Sequence, residues 1–476
     1  MRPRNRDRRP SRGTVIAATT IGNALEFFDF TVFGFLTLTI GRLFFPTLTP
    51  YGQVLSTVAT FGVGFIMRPL GGIAIGAYAD RFGRKKAMTL TIFLMALGCG
   101  VIAFTPTYAQ IGVAASVTIV LARLIQGFSA GGEVGAATTL LVEYATPTTR
   151  SFMASWQFAS QGLGILLAAA CVGGLSYLSS PQWMAHWGWR VPFLLGMLIA
   201  PVGMYLRSHL DESLEHPRRD ARSSLTILCT EHGKTILCAI LCGMGRTTAA
   251  YVVTFYLPTY AINELGFSPT TALFSAAFAG LVTFASAAPI GIWSDRVGRK
   301  PLIVGGGITL ALLIYPAFFW LNARPDWIVL FVVVGALILA LGLQSVPGTT
   351  MLPEMFPKSV RVSGMSLVYS ISVAVFGGFS PLVSNWITHA TGSKLAPAWY
   401  MLVMVLLSLL GLFGLKDHNG KEIDSTNDTG ATTPDAMPPA PQKTDPISHL
   451  HVPAHDGKSR IADGFDETSI RVSDPF

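Results

Sequence analysis

Long apolar runs separated by short polar breaks fill the sequence from residue 14 to residue 415. A helix needs about 20 mostly apolar residues to cross the roughly 30 Å hydrocarbon core of a bilayer. These runs are of that order and lack the two-residue alternation of barrel strands. They predict an all-α membrane protein with twelve spans at 14–41, 54–79, 87–105, 110–142, 152–178, 190–207, 234–261, 270–293, 301–321, 327–350, 362–389 and 397–415.

The composition agrees with a membrane protein. Hydrophobic residues make up 51% of the chain and charged residues only 13%, whereas about a quarter of a soluble domain is charged. The basic N-terminus followed by an apolar stretch resembles a secretory signal. That stretch is longer than a signal core and contains Glu26 and Asp29, so we expect it to be retained as the first span.

The orientation follows from the loops that carry Lys and Arg. These residues concentrate in the N-terminal arm and in every second loop, which the positive-inside rule places in the cytoplasm. Both termini are then cytoplasmic, as an even number of spans requires. The net charge of +8 is explained by this topology, so no nucleic-acid partner is expected. We expect a monomer in the lipid bilayer of the bacterial inner membrane.

The polar segments divide the chain into five regions. A basic arm (1–13) precedes a first half of six spans (14–207), and a cytoplasmic linker (208–233) leads to a second half of six spans (234–415). The tail (416–476) is rich in Pro, Asp, Thr and Ser and has too few apolar residues to build a core, so it is expected to be disordered.

The sequence shows no pattern that is typical of an enzyme active site or a metal site. The 5 cysteines have neither a paired framework nor metal-ligand spacing, and no nucleophile–base constellation is evident. A Walker motif for ATP is also missing. We therefore expect no metal, no cofactor and no enzymatic activity.

One segment rich in charged residues occurs twice in the sequence. GAYADRFGRKK at 76–86 matches GIWSDRVGRKP at 291–301, each between the second and third spans of its half. VEYATPTTR at 142–150 and PEMFPKSVR at 353–361 form a second correspondence. The repeat predicts two six-helix halves in the same orientation.

These cytoplasmic residues have two interpretations. They either fix topology by ending helices at the membrane surface, or form a gate whose charges pair when the cytoplasmic side is shut. The gate residues are Gly76, Asp80, Arg81, Gly83, Arg84, Glu143, Arg150, Asp295, Arg296, Arg299, Glu354 and Arg361.

The motif G-x-x-x-D-R-x-G-R-K, present twice, together with R-x-x-Q-G at 123–127, resembles the major facilitator superfamily. LEFFDF (25–30), GFIMRPLGG (64–72), RLIQGFSAGGE (123–133) and WGWRVPF (187–193) are similar to its metabolite:proton symporter branch. YLPTYAINELGFS and the stretch that begins PEMFPKSVR most resemble citrate and tricarballylate symporters. The resemblance implies the two-half fold, alternating access, and the gate interpretation of the repeated charges.

Ionisable residues inside the predicted spans mark function, because each costs about 2.5–3.5 kcal/mol to insert. Glu26 and Asp29 lie one helical turn apart, and two carboxylates that close favour holding a proton, as proton coupling needs. They alternatively neutralise Arg68 or Arg123. Glu133 lies either on the proton route or beside Arg68 as its structural partner.

A carboxylate substrate is expected near the bilayer midplane, between the halves. Arg123 would bind it through two parallel hydrogen bonds, and Arg246 in the second half would hold its other end. Citrate symporters carry an uncharged polar residue at the position of Arg246. The other candidates are Gln126, Gln157, Gln161, Tyr251, Tyr256, Gln344 and Asn385, although core packing also explains each tyrosine.

The function expected is a proton-coupled symporter that imports a small organic carboxylate such as citrate, tricarballylate or a related di- or tricarboxylate. Its partners are the substrate, protons and the bilayer. A symporter of the same branch for a zwitterionic osmolyte or an aromatic acid stays open, as does a membrane sensor that transports nothing. The intramembrane arginines favour an anion.

Overall fold

The computed structural model describes residues 12–82, 84–197, 201, 224–357, 360–415 and 417. Most of the predicted arm, linker and tail therefore lies outside the described residues. Within them, all regular structure is helical, and the predicted all-α membrane fold is confirmed.

The helices of the first half follow the apolar runs of the sequence, and short polar turns separate them. They are α1 (Arg12–Phe35), α2 (Thr37–Phe44), α3 (Pro50–Phe82), α4 (Arg84–Phe104), α5 (Tyr108–Ile111), α6 (Val113–Glu143), α7 (Arg150–Leu178), α8 (Pro181–His186) and α9 (191–197). The hydroxyl of Ser180 accepts a hydrogen bond from the Trp183 amide and so caps α8.

The short helix α10 lies in the predicted linker before the second half, and two spans of the second half contain π-helical segments. The helices are α10 (Ser224–Glu231), α11 (Gly233–Tyr251), α12 (Leu257–Leu265), α13 (Pro269–Val297), α14 (Arg299–Ala323), α15 (Trp327–Glu354), α16 (Arg361–Ser372), α17 (Ser380–Thr391) and α18 (Ala396–Gly411). The π segment Val252–Tyr256 joins α11 to α12, and Val373–Gly378 leads from α16 towards α17.

Most predicted spans are long enough to cross a membrane. Among the described residues, 10 helices have sufficient length and apolar character, and α4 adds the shorter apolar stretch Thr89–Phe104. The sixth predicted span is helical at 191–197, and most of the rest of it lies outside the described residues. Exposed aromatic and aliphatic side chains on the outer surfaces, such as Phe93 and Leu312, suit contact with lipid.

Glycines bring α3 and α6 into backbone contact. A Cβ added at Gly127 would overlap the carbonyl oxygen of Gly64, and one at Gly131 would overlap that of Arg68. Small residues permit such approach between membrane helices, where packing replaces the hydrophobic effect as the driving force. This contact places the side chains of α3 and α6 close together in the first half.

The two halves contact each other along α7 and α13, where glycines again allow the helix backbones to approach closely. A Cβ at Gly162 would lie 2.6 Å from the Gly280 carbonyl oxygen, and one at Gly291 would lie 2.7 Å from that of Ser151. We call the side of the molecule that carries the connections 82–84, 143–150, 297–299 and 354–361 the basic face. It is the predicted cytoplasmic side.

Gly298 explains the glycine of the second D-R-x-G-R-K copy. It adopts φ 102° between α13 and α14, a conformation that glycine reaches without the steric cost of a Cβ. Its amide donates to the Ser294 carbonyl, and the chain then enters α14 at Arg299. Gly83, at the equivalent position of the first copy, lies outside the described residues.

Candidate substrate and proton site

Two arginines from adjacent helices converge inside the first half. Arg68 on α3 is 1% exposed and Arg123 on α6 is fully buried. The Phe30 ring centroid lies 4.6 Å from the guanidinium carbon of each arginine. Because an aromatic face attracts a cation by about 0.5–2 kcal/mol, Phe30 helps to hold two like charges in one buried region.

Further aromatic rings extend this region to the second half. The Phe65 ring centroid lies 4.4 Å from the guanidinium carbon of Arg68, and that of Phe33 lies 4.3 Å from the guanidinium carbon of Arg123. Phe65 also makes an edge contact with Tyr251 of the second half, with 5.3 Å between ring centroids. We call Phe30, Phe33, Phe61, Phe65, Tyr251 and Phe255 the central aromatic cluster.

Both predicted coupling carboxylates of α1 face these arginines. Glu26 Oε1 lies 3.7 Å from Arg68 Nη2, and both side chains are buried. The Asp29 carboxylate lies beside the thiol of Cys99 and near Arg123. The structure thus brings Glu26 to Arg68, one of the two arginines that the sequence left open as partners.

The three predicted proton residues line one cavity. A space of about 30 Å³ between α1, α4, α6 and α9 is bordered by Glu26, Asp29, Glu133 and Gly196. Glu133 Oε2 also accepts a hydrogen bond of 3.2 Å from the Thr91 hydroxyl. A cavity of this size has room for water, so the carboxylates face a common polar space.

Arg123 is fixed through Gln126, one turn further along α6. Arg123 Nη1 donates a hydrogen bond of 2.8 Å to Gln126 Oε1, and Gln126 Nε2 donates one of 3.0 Å to Cys99 Sγ. All three side chains are buried. Gln126 therefore supports the arginine from the wall of the first half.

In the second half, Arg246 on α11 is the corresponding buried cation. It is 7% exposed, and its Nη1 donates a hydrogen bond of 3.0 Å to the Thr349 hydroxyl on α15. The Tyr369 phenol interacts with Arg246 and also with Arg68 of the first half. Tyr369 is therefore close to buried cations of both halves.

Several other predicted substrate residues have partners within the protein. Gln157 Nε2 donates to Asn23 Oδ1 at 2.9 Å, and Gln344 Nε2 contacts the Ser408 hydroxyl at 3.4 Å. The Tyr256 hydroxyl lies 3.1 Å from that of Thr388. Gln161 on α7 and Asn385 on α17 are half-buried. A role in binding stays a prediction for each of these candidates.

A cavity lies between the halves on the side opposite the basic face. It measures about 400 Å³, and its lining includes Thr37, Arg42, Ser176 and Thr259. A pocket of about 10 Å³ shares Thr37 and Thr259 with it and is bordered by Tyr256, Asn385, Phe61 and Phe255. We call the larger cavity the vestibule; the pocket lies between it and the central aromatic cluster.

At the basic face, charges pair across the halves. Arg150 and Glu354 approach to 3.5 Å, and Arg361 and Glu143 to 3.7 Å. The Asp295 carboxylate accepts hydrogen bonds of 2.8 and 2.9 Å from the amides of Ser151 and Phe152 in the first turn of α7, where the helix dipole favours a negative charge. The halves are therefore in contact on this side.

In the first-half copy of the repeat, most side chains lie outside the described residues. The side chains of Gly76, Asp80, Arg81 and Arg84 lie outside the described residues. Arg296 is exposed, whereas Arg299 is buried and bonded at 2.8 Å to Glu354 within its own half.

Several residues of this site were not among the sequence-based candidates, including Phe30, Cys99 and Tyr369. Phe30 ends the LEFFDF segment, and its position one residue after Asp29 was an available signal. Cys99 is a small residue in an apolar run, and Tyr369 is one of many aromatic residues in the spans. Only the packing of the helices distinguishes the last two.

Comparison with known proteins assigns the class of this fold. Two family models match the chain in succession, "Sugar (and other) transporter" over residues 14–226 and "Major Facilitator Superfamily" over residues 235–454. The chain belongs to the major facilitator superfamily. It is a multi-pass membrane transporter and not an enzyme.

Curated relatives narrow the position within the superfamily. A citrate-proton symporter of Salmonella typhi is 37% identical over 399 residues, which cover 83% of this chain and 92% of that protein. One of Klebsiella pneumoniae is 35% identical over 398 residues, covering 83% and 90%. The glycine betaine/proline/ectoine/pipecolic acid transporter OusA of Dickeya dadantii is 32% identical over 452 residues, covering 91% and 89%.

Solved structures share the fold. The proton:xylose symporter XylE bound to 6-bromo-6-deoxy-D-glucose matches with a TM-score of 0.73 at 18% identity, over 87% of this chain and 98% of that chain. The human organic anion transporter MFSD10 matches with a TM-score of 0.62 at 18% identity, over 85% and 100%. At this identity the likeness concerns the fold alone.

Proposed function

We propose that this transporter is a proton-coupled symporter for a small organic di- or tricarboxylate. The observation that carries the proposal is the set of free donors on the two central arginines. Among the described residues, Arg68 Nε and Nη1 and Arg123 Nε and Nη2 are buried without a hydrogen-bond partner. Since buried donors are normally satisfied and a guanidinium suits a carboxylate, an anionic substrate would complete the site.

A substrate with more than one carboxylate suits the second half. Arg246 lies on α11, and Tyr369 interacts with it and with Arg68. A di- or tricarboxylate would use cations of both halves, so its binding would depend on their relative position. Two of the relatives are named citrate-proton symporters, which supports this substrate class.

Proton coupling is proposed from the shared cavity of the carboxylates. Glu26, Asp29 and Glu133 border the same space, and Asp29 lies near Arg123. A proton on one of these carboxylates would change the charge beside the arginine that we assign to the substrate. This electrostatic link gives proton binding and substrate binding a common element.

The asymmetry of the two sides supports alternating access. The halves pair at the basic face through Arg150–Glu354 and Arg361–Glu143, and the vestibule lies on the other side. With the basic face in the cytoplasm of the bacterial inner membrane, this arrangement would receive substrate from outside. Rocking the halves would separate the charge pairs and open the route inward.

A substrate panel in proteoliposomes tests this proposal. With an inward proton gradient, we expect concentrative uptake of citrate or tricarballylate that a protonophore abolishes. Arg123→Ala should reduce the initial rate by about 10- to 100-fold, because hydrogen bonds to charged groups contribute about 1.5–3 kcal/mol. Cys171→Ala, a half-buried site on α7, serves as the control. Failure of every carboxylate in the panel would contradict the substrate class.

A zwitterionic osmolyte is the second candidate. OusA and a proline/betaine transporter of Salmonella typhimurium are each 32% identical to this chain. The central aromatic cluster offers ring faces for a quaternary ammonium, and one arginine suffices for a single carboxylate. Betaine uptake that citrate does not inhibit would favour this candidate over the first.

A further inference from the structure

We propose that Cys99 and Gln126 are positioning residues that transmit the protonation state of Asp29 to Arg123. The inference rests on the proposed function, since it assigns Asp29 to the proton and Arg123 to the substrate. It concerns four side chains from three helices: Asp29 on α1, Cys99 on α4, and Arg123 and Gln126 on α6.

The direction of the first hydrogen bond is determined by chemistry. A guanidinium has donors and no acceptor, so Gln126 must present its carbonyl oxygen to Arg123 and its amide nitrogen to the other side. That nitrogen donates to Cys99 Sγ at 3.0 Å, while Arg123 Nη1 donates to Gln126 Oε1 at 2.8 Å. The amide of Gln126 therefore has one permitted orientation in this contact.

The thiol continues the chain towards Asp29. Because Cys99 Sγ accepts from Gln126, the S–H remains as its donor, and the carboxylate of Asp29 lies beside it. Arg123 donates to Gln126 and Gln126 donates to Cys99, so the thiol is free to donate to the neighbouring Asp29 carboxylate. An ionised Asp29 is the acceptor that favours this order, because hydrogen bonds to a charged acceptor are the stronger ones.

The surroundings hold the chain in place. Cys99 and Gln126 are fully buried, and a Cβ at Gly98 would overlap the side chain of Gln126. A Cβ at Gly196 on α9 would likewise overlap the Asp29 carboxylate. Glycine on both sides thus permits the contacts that join Asp29 to Gln126.

Protonation of Asp29 removes the negative charge at the end of this series of hydrogen bonds. The thiol then has a weaker acceptor, so Gln126 holds Arg123 Nη1 less firmly against the wall of the first half. Arg123 becomes free to reorient towards a carboxylate that approaches its Nε and Nη2, which lack a partner among the described residues. Proton binding would in this way raise the affinity for the substrate.

Other titratable groups surround Asp29 and Arg123, and the test must keep them constant. Glu26 on α1 and Glu133 on α6 border the same cavity as Asp29, and Arg68 on α3 and Tyr251 of the second half lie near Arg123. None of them is altered by a substitution at Cys99 or Gln126. A change in the pH dependence of transport in such variants would therefore report on the hydrogen-bond chain from Arg123 through Gln126 and Cys99 to Asp29.

The experiment measures the KM for citrate, or for the best carboxylate of the panel, as a function of external pH in proteoliposomes. Cys99→Ala and Gln126→Met remove single links, Cys99→Ser retains a donor and an acceptor, and Cys171→Ala is the matched control. We expect the two disrupting variants to reduce the change in KM across the pH range by about fivefold, the value of one ordinary hydrogen bond. Cys99→Ser should restore the wild-type profile.

Substrate counterflow without a gradient shows whether each variant is folded and still cycles, and we expect Cys99→Ala, whose side chain is not assigned to the substrate, to retain it. A wild-type pH profile in either disrupting variant that performs counterflow would overturn the proposal. So would loss of counterflow in both disrupting variants with Cys99→Ser equally inactive, since the residues would then be structural. If the wild-type protein shows no proton-driven uptake, the proposed function fails whatever the variants do.

Discussion

Nη1 of Arg150 in the first half lies 3.5 Å from Oε1 of Glu354 in the second half. The same carboxylate oxygen is 2.8 Å from Nη2 of Arg299, and Glu354 is only 1% exposed. One buried carboxylate therefore serves a cation from each half. It connects the loop after α6 to the N-terminus of α14, two segments that the sequence repeat had marked separately.

Glu354→Gln should weaken the contact between the halves. The change leaves Arg150 and Arg299 beside a neutral amide, and loss of one partner of a buried ion pair costs about 3–5 kcal/mol. We expect a lower unfolding temperature in detergent. Spin labels at the exposed positions Lys86 and Arg296 should also show a larger population of long distances. Glu231→Gln on the exposed surface of α10 should change neither quantity.

Gly298→Ala should destabilise the second copy of the repeat. The residue has φ 102°, and a Cβ in such a conformation costs about 1 kcal/mol or more. We expect a lower unfolding temperature and weaker transport. Gly305→Ala provides the matched control, because it lies inside α14 with nothing within 4 Å of an added Cβ and alanine favours a helix. Equal stability of the two variants would contradict this account of Gly298.

Arg246→Gln should distinguish substrates by their number of carboxylates. If Arg246 binds one end of a tricarboxylate, its loss should raise the KM for that substrate by about 10-fold or more, with a smaller effect on a monocarboxylate competitor. Inhibition constants from competition assays measure both. Thr349→Val, which removes the hydrogen-bond partner of Arg246 and keeps the charge, should have a weaker effect. Equal losses for both substrates would argue for a structural role.

The sequence predicted the architecture well because that architecture depends on local properties. Span length, loop charge and the repeated D-R-x-G-R-K cluster are all readable along the chain, and they led to two six-helix halves. The repeat also identified the charged candidates at the basic face. The repeat did not predict which of these charges pair. Arg150 contacts Glu354 of the other half, and this pairing depends on how the halves pack together.

The inner site was less accessible to sequence reasoning. Charged residues in the spans identified Glu26, Asp29, Glu133, Arg123 and Arg246, since their insertion cost sets them apart. The link through Cys99 depends on the rotation of α4 against α6. The π segment Val373–Gly378 is another tertiary feature, and there the Thr248 hydroxyl donates to the Phe376 carbonyl at 2.9 Å.

We propose that a carboxylate and a proton move together through this protein. The most direct test records the internal pH of proteoliposomes with a trapped dye while citrate or tricarballylate is added outside, without an imposed gradient. We expect internal acidification that depends on substrate and is lost in Asp29→Asn, which should still exchange substrate. Substrate accumulation with no proton movement, or acidification of equal size in Asp29→Asn, would contradict it.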